Sequence, residues 1–255
     1  MYLVKGGATR PSLWDSEFIR QHDVPGPRYT SYPTALQFHE EFTRADYLAS
    51  VARSNAARKP LSIYVHLPFC QSLCYYCACN KVITQSEDKK RQYLDSLIKE
   101  IKQKSAEFGT DRPVYQMHWG GGTPTYYGDA ELTELWYQIG RHFHLVDSER
   151  GEYSIEIDPR TINGDKLGLL KGLGFNRISL GIQDFDVKVQ QAINRVQSRA
   201  QVEELMQAAR SYQFRSVNFD LIYGLPYQNV RSVQGTIDKV IELSPDRISL
   251  FNYAH

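Results

Sequence analysis

The chain is 255 residues long, with 42% hydrophobic residues, 23% charged residues and a formal charge of +1. Such a balance fits a soluble globular chain able to bury a core, and it gives no electrostatic reason to expect nucleic acid or an acidic membrane surface as a partner. No secretory leader or long apolar span is legible, so a cytoplasmic, reducing setting is expected. In chain order, residues 1–58 read as an N-terminal arm and helix over the mouth of the domain that follows, residues 59–255. Strands are predicted over 62–67, 114–119, 153–157, 177–182, 216–222 and 247–251. Helical stripes separate them: Tyr93, Leu94, Leu97, Ile98 and Ile101; Leu132, Leu135, Trp136, Ile139 and Phe143; Val202, Leu205, Met206 and Ala209; Val233, Ile237, Val240 and Ile241. Their spacing of three and four predicts core-facing surfaces. Lys89, Lys90 and Arg91 read as a solvated helix face. Strands alternating with helices call for right-handed crossovers and a parallel sheet, giving an α/β fold read as a six-stranded partial (β/α)6 barrel.

The polar candidates fall where such a sheet carries function, at the carboxyl ends of its strands. Cys70, Cys74, Cys77 and Cys79 follow the first strand, and Gly120, Gly121 and Gly122 follow the second. Glu156 and Asp158 end the third strand, Gln183 ends the fourth, Asp220 lies in the fifth, and Asn252 follows the sixth. Asp220 stands between Phe219 and Leu221, where an unpartnered carboxylate is costly, so ligand contact is favoured over a structural ion pair. The glycine run permits close backbone approach, but it matches neither nucleotide-phosphate pattern and is compatible with a tight turn alone. His66 and His118 lack a metal-pair spacing and read as half-buried, satisfied side chains. No histidine is assigned a metal.

All four cysteines sit within residues 70–79. Three thiolates can hold a four-iron four-sulfur cubane and leave one iron open to chelate a substrate. Zinc is the competing reading, although structural zinc sites usually draw on two cysteine pairs set further apart. A reducing setting argues against disulfides.

The run from Tyr64 to Cys70, continuing through Cys74, Tyr75, Tyr76, Cys77 and Cys79, resembles the signature of radical S-adenosylmethionine (SAM) enzymes. Its ending, Cys77-Ala78-Cys79-Asn80-Lys81, resembles that of the oxygen-independent coproporphyrinogen III oxidase (coproporphyrinogen dehydrogenase) family. Further blocks support this: Pro27–Pro33, His118–Pro124, Ile155–Pro159, Gly181–Phe185 and Asp220–Pro226. The resemblance implies one [4Fe-4S] cluster on Cys70, Cys74 and Cys77, with Cys79 in the motif but not a ligand. It implies contacts to one SAM from Tyr64, Gly121 and Glu156. Contacts to a second SAM are implied from Tyr76, Gly122, Thr123, Gln183, Arg195, Asp220 and Ala254. Read from the residues alone, Arg195 would only cap its helix.

The chemistry implied is anaerobic oxidative decarboxylation in porphyrin and haem biosynthesis. A 5′-deoxyadenosyl radical takes hydrogen from two propionates of coproporphyrinogen III in turn, giving the vinyls of protoporphyrinogen IX. Coproporphyrinogen III is the expected substrate, an unidentified electron donor is required, and neither nucleic acid nor membrane is an expected partner. A monomer is expected. Arg28, Tyr29 and Tyr32 are candidates to lie over the mouth and pair with propionates, or to form a rigid Pro-rich turn. The family continues past the sixth strand into a last helix and a mostly helical domain, so this chain reads as truncated, with its own turnover open. Alternatives are a haem-binding chaperone relative, against which Pro27–Pro33 and Cys79 argue, and a non-enzymatic zinc module.

Overall fold

The computed structural model describes residues 15–23, 34–109 and 111–253. The chain divides into two compact units, Met1–Tyr47 and Leu48–His255. In the first, helix α1 (Ser16–His22) starts at Asp15, whose carboxylate accepts the N–H groups of Glu17 and Phe18. Helix α2 (Arg44–Ala57) spans the division.

In the second unit, six strands lie side by side in chain order, every neighbouring pair parallel. They are β1 (Leu61–Leu67), β2 (Pro113–Gly121), β3 (Glu152–Ile157), β4 (Arg177–Gln183), β5 (Ser216–Tyr223) and β6 (Arg247–Asn252). A short strand, His144–Leu145, pairs beside the start of β2 and makes the sheet seven-stranded. Each predicted strand is present, lengthened by no more than two residues at either end. One boundary bears on the site: Gly120 and Gly121 belong to β2 rather than to the loop after it.

The crossovers are α3 (Glu87–Glu107), α4 (Asp129–His142), α5 (Gly164–Leu173), the short α6 (Val187–Ala192) with α7 (Arg199–Ser211), and α8 (Val230–Leu243). Their starts are written locally. Ser86, Asn163, Ser198 and Asn229 each accept a backbone N–H from the first turn of the helix that follows, satisfying a donor that has no partner inside the helix.

Residues alternate between the two faces of a strand. One face of this sheet is apolar: Val65, Leu67, Met117, Trp119, Tyr153, Ile155, Ile178, Leu180, Val217 and Phe219 are buried. They form one cluster with Leu94, Leu132, Leu135, Leu167, Leu170, Val202 and Leu205 of the helices. The other face carries Tyr64 and His66 of β1, His118 of β2, Ser154 and Glu156 of β3, Ser179 of β4, and Asn218 and Asp220 of β5. Helix packing therefore stabilises one face and leaves the other for polar groups.

Two sequence expectations are corrected. Lys90 is not solvated but 3% exposed, because its ammonium pairs with Glu87 at 2.8 Å and lies 4.5 Å over the Tyr126 ring. A long alkyl stem buries well when its charged end finds such partners. On α8, Val240 is buried but Ile237 and Ile241 are exposed; Thr236 takes the inward position, donating to Asp184 at 2.8 Å. Among the described residues, no helix is long and apolar enough to cross a membrane.

Candidate functional site

The cysteine loop leaves the carboxyl end of β1. Its two ends are tied by a small parallel pair, Phe69–Cys70 beside Val82–Ile83, in which Val82 donates to Pro68 and Thr84 donates to Cys70. A second set of bonds holds the loop from the β4 side: Tyr75 N–H to the Ile193 carbonyl at 3.0 Å, and Asn194 Nδ2 to the Leu73 carbonyl at 2.7 Å. Asn194 has φ +55°, a left-handed conformation that asparagine tolerates better than most residues.

The four cysteines are free thiols, with Cys74 buried and Cys79 exposed. Polar groups already address three of them. Thr123 Oγ1 donates to Cys70 Sγ at 3.3 Å. The Cys74 sulfur lies 3.6 Å from both Arg160 Nη2 and Arg195 Nη1. A hydrogen bond from the Cys79 thiol, helped by the Cys79 N–H and Lys81, brings the Cys77 thiol down to about 6 despite burial. The same contact raises Cys79. Burial raises Cys70, with Thr123 opposing. Among the described residues, no three His, Cys, Asp or Glu side chains are arranged to hold a single metal ion. The donor set suits a cubane better than zinc: cubane thiolates each take a different iron and need not converge on one point, and N–H and O–H donors already point at the sulfurs.

Beside the loop, the glycine run closes against β1. Gly122 N–H donates to Leu67 at 2.9 Å and Thr123 N–H to Phe69 at 3.0 Å. A Cβ at Gly122 would stand 2.6 Å from the Pro68 carbonyl carbon and 2.9 Å from the Phe69 oxygen. That glycine is thus required by backbone packing alone. Gly121 has φ +119°, and its N–H donates to Glu156 at 3.2 Å.

Tyr64, His118 and Glu156 form one group. The Tyr64 ring stacks on His118 with centroids 5.8 Å apart, and His118 bonds Ser154 through Nδ1 at 2.6 Å and Glu156 through Nε2 at 3.2 Å. His66 is likewise satisfied, by Tyr64 Oη at 3.1 Å and the Asn80 carbonyl at 2.8 Å. Tyr64 is 57% exposed and the Glu156 side chain 43% exposed, so both have open surface for a ligand.

Further along the sheet, Asp158 caps the turn Pro159–Thr161 and accepts from Arg160 and Arg195 at 2.7 and 2.9 Å. Burial pushes its carboxyl up, but the Arg195 charge and the Arg160 hydrogen bonds outweigh that and hold it below the usual range. Arg195 is buried and also donates to the Gly181 carbonyl at 2.8 Å, so it does more than cap a helix end. Gln183 ends β4 with φ +66°, at an irregularity in the β4–β5 register. Asp220 accepts from Ser179 at 2.8 Å and Asn218 at 2.9 Å, and burial raises its pKa. No described ion pair involves it. Tyr76 packs against Val189, Ile193 and Leu225, and burial raises its phenol. Ala254, Arg28, Tyr29 and Tyr32 lie outside the described residues. Sequence reasoning gave His118 no positioning role and missed Arg160; an Asp-Pro-Arg run at a strand end signals a cap, but its link to Arg195 is made only in space.

The sequence model of the radical SAM superfamily matches residues 64–240. An oxygen-independent coproporphyrinogen III oxidase from Pseudomonas aeruginosa is 51% identical over 95% of this chain and 53% of its own length. The Escherichia coli protein of that name is 48% identical over 95% of this chain and 52% of its own. The solved structure of E. coli coproporphyrinogen III oxidase, described as a radical SAM enzyme, superposes with TM-score 0.86 at 46% identity, covering 95% of this chain and 53% of that one. SuiB of Streptococcus suis bound to S-adenosylmethionine shares the fold alone, with TM-score 0.54 at 16% identity over 84% of this chain and 48% of its own. The chain spans about half the length of the curated relatives it matches.

Proposed function

We propose, since this chain belongs to the radical SAM superfamily, that it forms the cofactor-binding part of an oxygen-independent coproporphyrinogen III oxidase. On this reading the open, sequentially ordered parallel sheet is a partial (β/α)6 barrel whose polar face holds the cofactors. The whole protein converts two propionates of coproporphyrinogen III to vinyls, giving protoporphyrinogen IX, and draws electrons from a low-potential one-electron donor. The observation that carries the proposal is the closed cysteine loop at the carboxyl edge of the sheet, three of whose thiols meet polar donors.

Cys70, Cys74 and Cys77 would hold one [4Fe-4S] cluster, and S-adenosylmethionine would bind beside it. When bound, these groups supply the radical chemistry that removes hydrogen and carbon dioxide from a propionate. The chain's own residues bind and orient. Tyr64 stacks on His118, His118 bonds Glu156 and Glu156 accepts the Gly121 N–H, a chain of contacts that supports assigning the three to one S-adenosylmethionine: Glu156 offers a half-exposed carboxylate to an amino group, and His118 with Ser154 fixes its angle. Tyr76, Gly122, Thr123, Gln183, Arg195, Asp220 and Ala254 are assigned to a second molecule. Asp220 suits that role best, because its described partners are neutral and burial favours a ligand able to donate to it.

The test is anaerobic reconstitution with iron and sulfide, reduction with dithionite, addition of S-adenosylmethionine, and measurement of 5′-deoxyadenosine in wild type and Cys74→Ala. The expected result is product from wild type and none from the variant. Equal yields overturn the cluster assignment.

A further inference from the structure

Two guanidinium groups converge on one cysteine sulfur, and one carboxylate holds both. Arg160 Nη2 lies 2.7 Å from Asp158 Oδ2 and 3.6 Å from Cys74 Sγ. Arg195 Nη1 lies 2.9 Å from the same oxygen and 3.6 Å from the same sulfur. Each terminal guanidinium nitrogen carries two hydrogens, so each can serve the carboxylate and the sulfur together. Arg160 is locked further by Nε to Asp158 Oδ1 at 3.0 Å, and Arg195 by Nε and Nη2 to the Gly181 carbonyl at 3.2 and 2.8 Å. A Cβ on Gly181 would stand 2.8 Å from Arg195 Nη2, so the absence of a side chain there makes room for this arginine. The Asp158 and Arg195 side chains are each 8% exposed and that of Arg160 is 23% exposed, so the group is largely shielded from water.

From this geometry we infer that Asp158, Arg160 and Arg195 form a clamp on Cys74 that makes the iron–sulfur cluster easier to reduce, with Arg160 as its adjustable member. The inference rests on the cluster assignment made above. Two arginines against one carboxylate leave a net positive charge beside a ligating sulfur. Reduction adds one electron, and hence one negative charge, to the cluster. Hydrogen bonds to a ligating sulfur and nearby positive charge both favour the more negative, reduced state, and both are established determinants of cluster potential. Low dielectric strengthens the effect because water is largely kept from the group. Arg160 is a positioning residue: it reaches the cluster only through Cys74 and Asp158.

The experiment compares the anaerobically reconstituted chain with its Arg160→Gln and Arg160→Lys variants. Iron and sulfide are counted first, thermal melting is recorded, and the midpoint potential is then measured by dithionite titration followed by electron paramagnetic resonance. The expected result is full iron and sulfide in all three. At a fixed poise near the wild-type midpoint, the reduced-to-oxidised ratio should fall about tenfold in R160Q, a shift of about 59 mV to more negative potential for one electron. R160K, which keeps the charge, should recover most of that shift. A fully loaded R160Q with the wild-type midpoint overturns the inference while leaving the cluster assignment standing. An R160Q chain that melts like wild type but takes up no iron overturns it too, by assigning the arginine to assembly. A wild-type chain that takes up no iron and sulfide overturns the cluster assignment and the inference together.

Discussion

Substituting Gly122 by alanine should injure the site through backbone packing before any ligand is considered. The new methyl would stand 2.6 Å from the Pro68 carbonyl carbon and 2.9 Å from the Phe69 oxygen, and neither is the free end of a flexible side chain. Relief requires Pro68–Phe69 to move away from the end of β2, which strains the bonds from Gly122 to Leu67 and from Thr123 to Phe69. Overpacking of this kind costs about 1–3 kcal/mol, and weakening one net hydrogen bond adds about 1 kcal/mol. At about 2–4 °C per kcal/mol for a domain of this size, Gly122→Ala should lower Tm by roughly 4–16 °C. Because Cys70 follows Phe69 directly, iron and sulfide uptake should fall as well. Gly172 is the control: it lies inside α5 with nothing within 4 Å of its Cβ position, so alanine there should gain up to about 1 kcal/mol from helix propensity. Differential scanning calorimetry and iron analysis on both variants decide the matter. A Gly122→Ala chain that melts and loads iron like wild type would refute the packing argument and return the glycine to a purely ligand-facing role.

Asp220→Asn should hold or raise Tm at pH 7 while weakening S-adenosylmethionine binding, read by calorimetry and by equilibrium dialysis. The folded-state pKa of Asp220 is raised above 3.8, so between 3.8 and that value the native state binds more protons than the unfolded one, and stability falls as pH rises through the window. The Tm advantage of the variant over wild type should therefore widen as pH rises from below 3.8, and a gap that narrows would contradict the sign. Asn194→Ala removes the bond to Leu73 and places alanine at φ +55°, which should cost about 1–3 kcal/mol from left-handed strain and the lost bond. Iron uptake should drop more steeply than Tm in that variant. Glu156→Gln should leave Tm within a few degrees of wild type, since the side chain is 43% exposed, yet lower S-adenosylmethionine affinity about tenfold, from the loss of about 1.5 kcal/mol for one charge-assisted hydrogen bond; unchanged affinity would remove Glu156 from the site.

The sheet was legible because its signals are local. Alternation and β-branched runs mark all six strands, and the cap residues Ser86, Asn163, Ser198 and Asn229 stand just before the helices they open. What was misread depends on partners distant in sequence. Lys90 resembles its exposed neighbours until Tyr126, 36 residues away, offers it a ring and a carbonyl. Ile237 and Ile241 obey helical spacing, but spacing cannot say which part of an apolar stripe meets the sheet, and here Thr236 turns inward to reach Asp184. Among the candidate residues, the grouping of Cys70, Cys74 and Cys77 is visible from spacing and the Asp158–Arg160 cap is local, whereas the approach of Arg195 to that cap is made only when β3 and β4 pair.

The two faces of the sheet divide the physical tasks. The helix-covered face holds Trp119, Phe175, Leu180 and Phe219 with no measurable exposure, and such burial can carry the stability of the unit. Against that reserve stand costs at the carboxyl edge: left-handed Gln183 and Asn194, a carboxylate at Asp220 raised by burial, and Gly122 pressed against another backbone. Packing alone does not call for Gln183 at φ +66° or for a carboxylate at position 220. A chain under selection for stability only would have relaxed these positions, since stabilising substitutions are readily found where function does not oppose them. Left-handed Arg58, Gln213 and Ser244 stand at the opposite edge, where helices end ahead of β1, β5 and β6, so positive φ alone does not mark the site; the support for a site comes from Gly122 and the Asp220 carboxylate lying at the same edge as the cysteine loop.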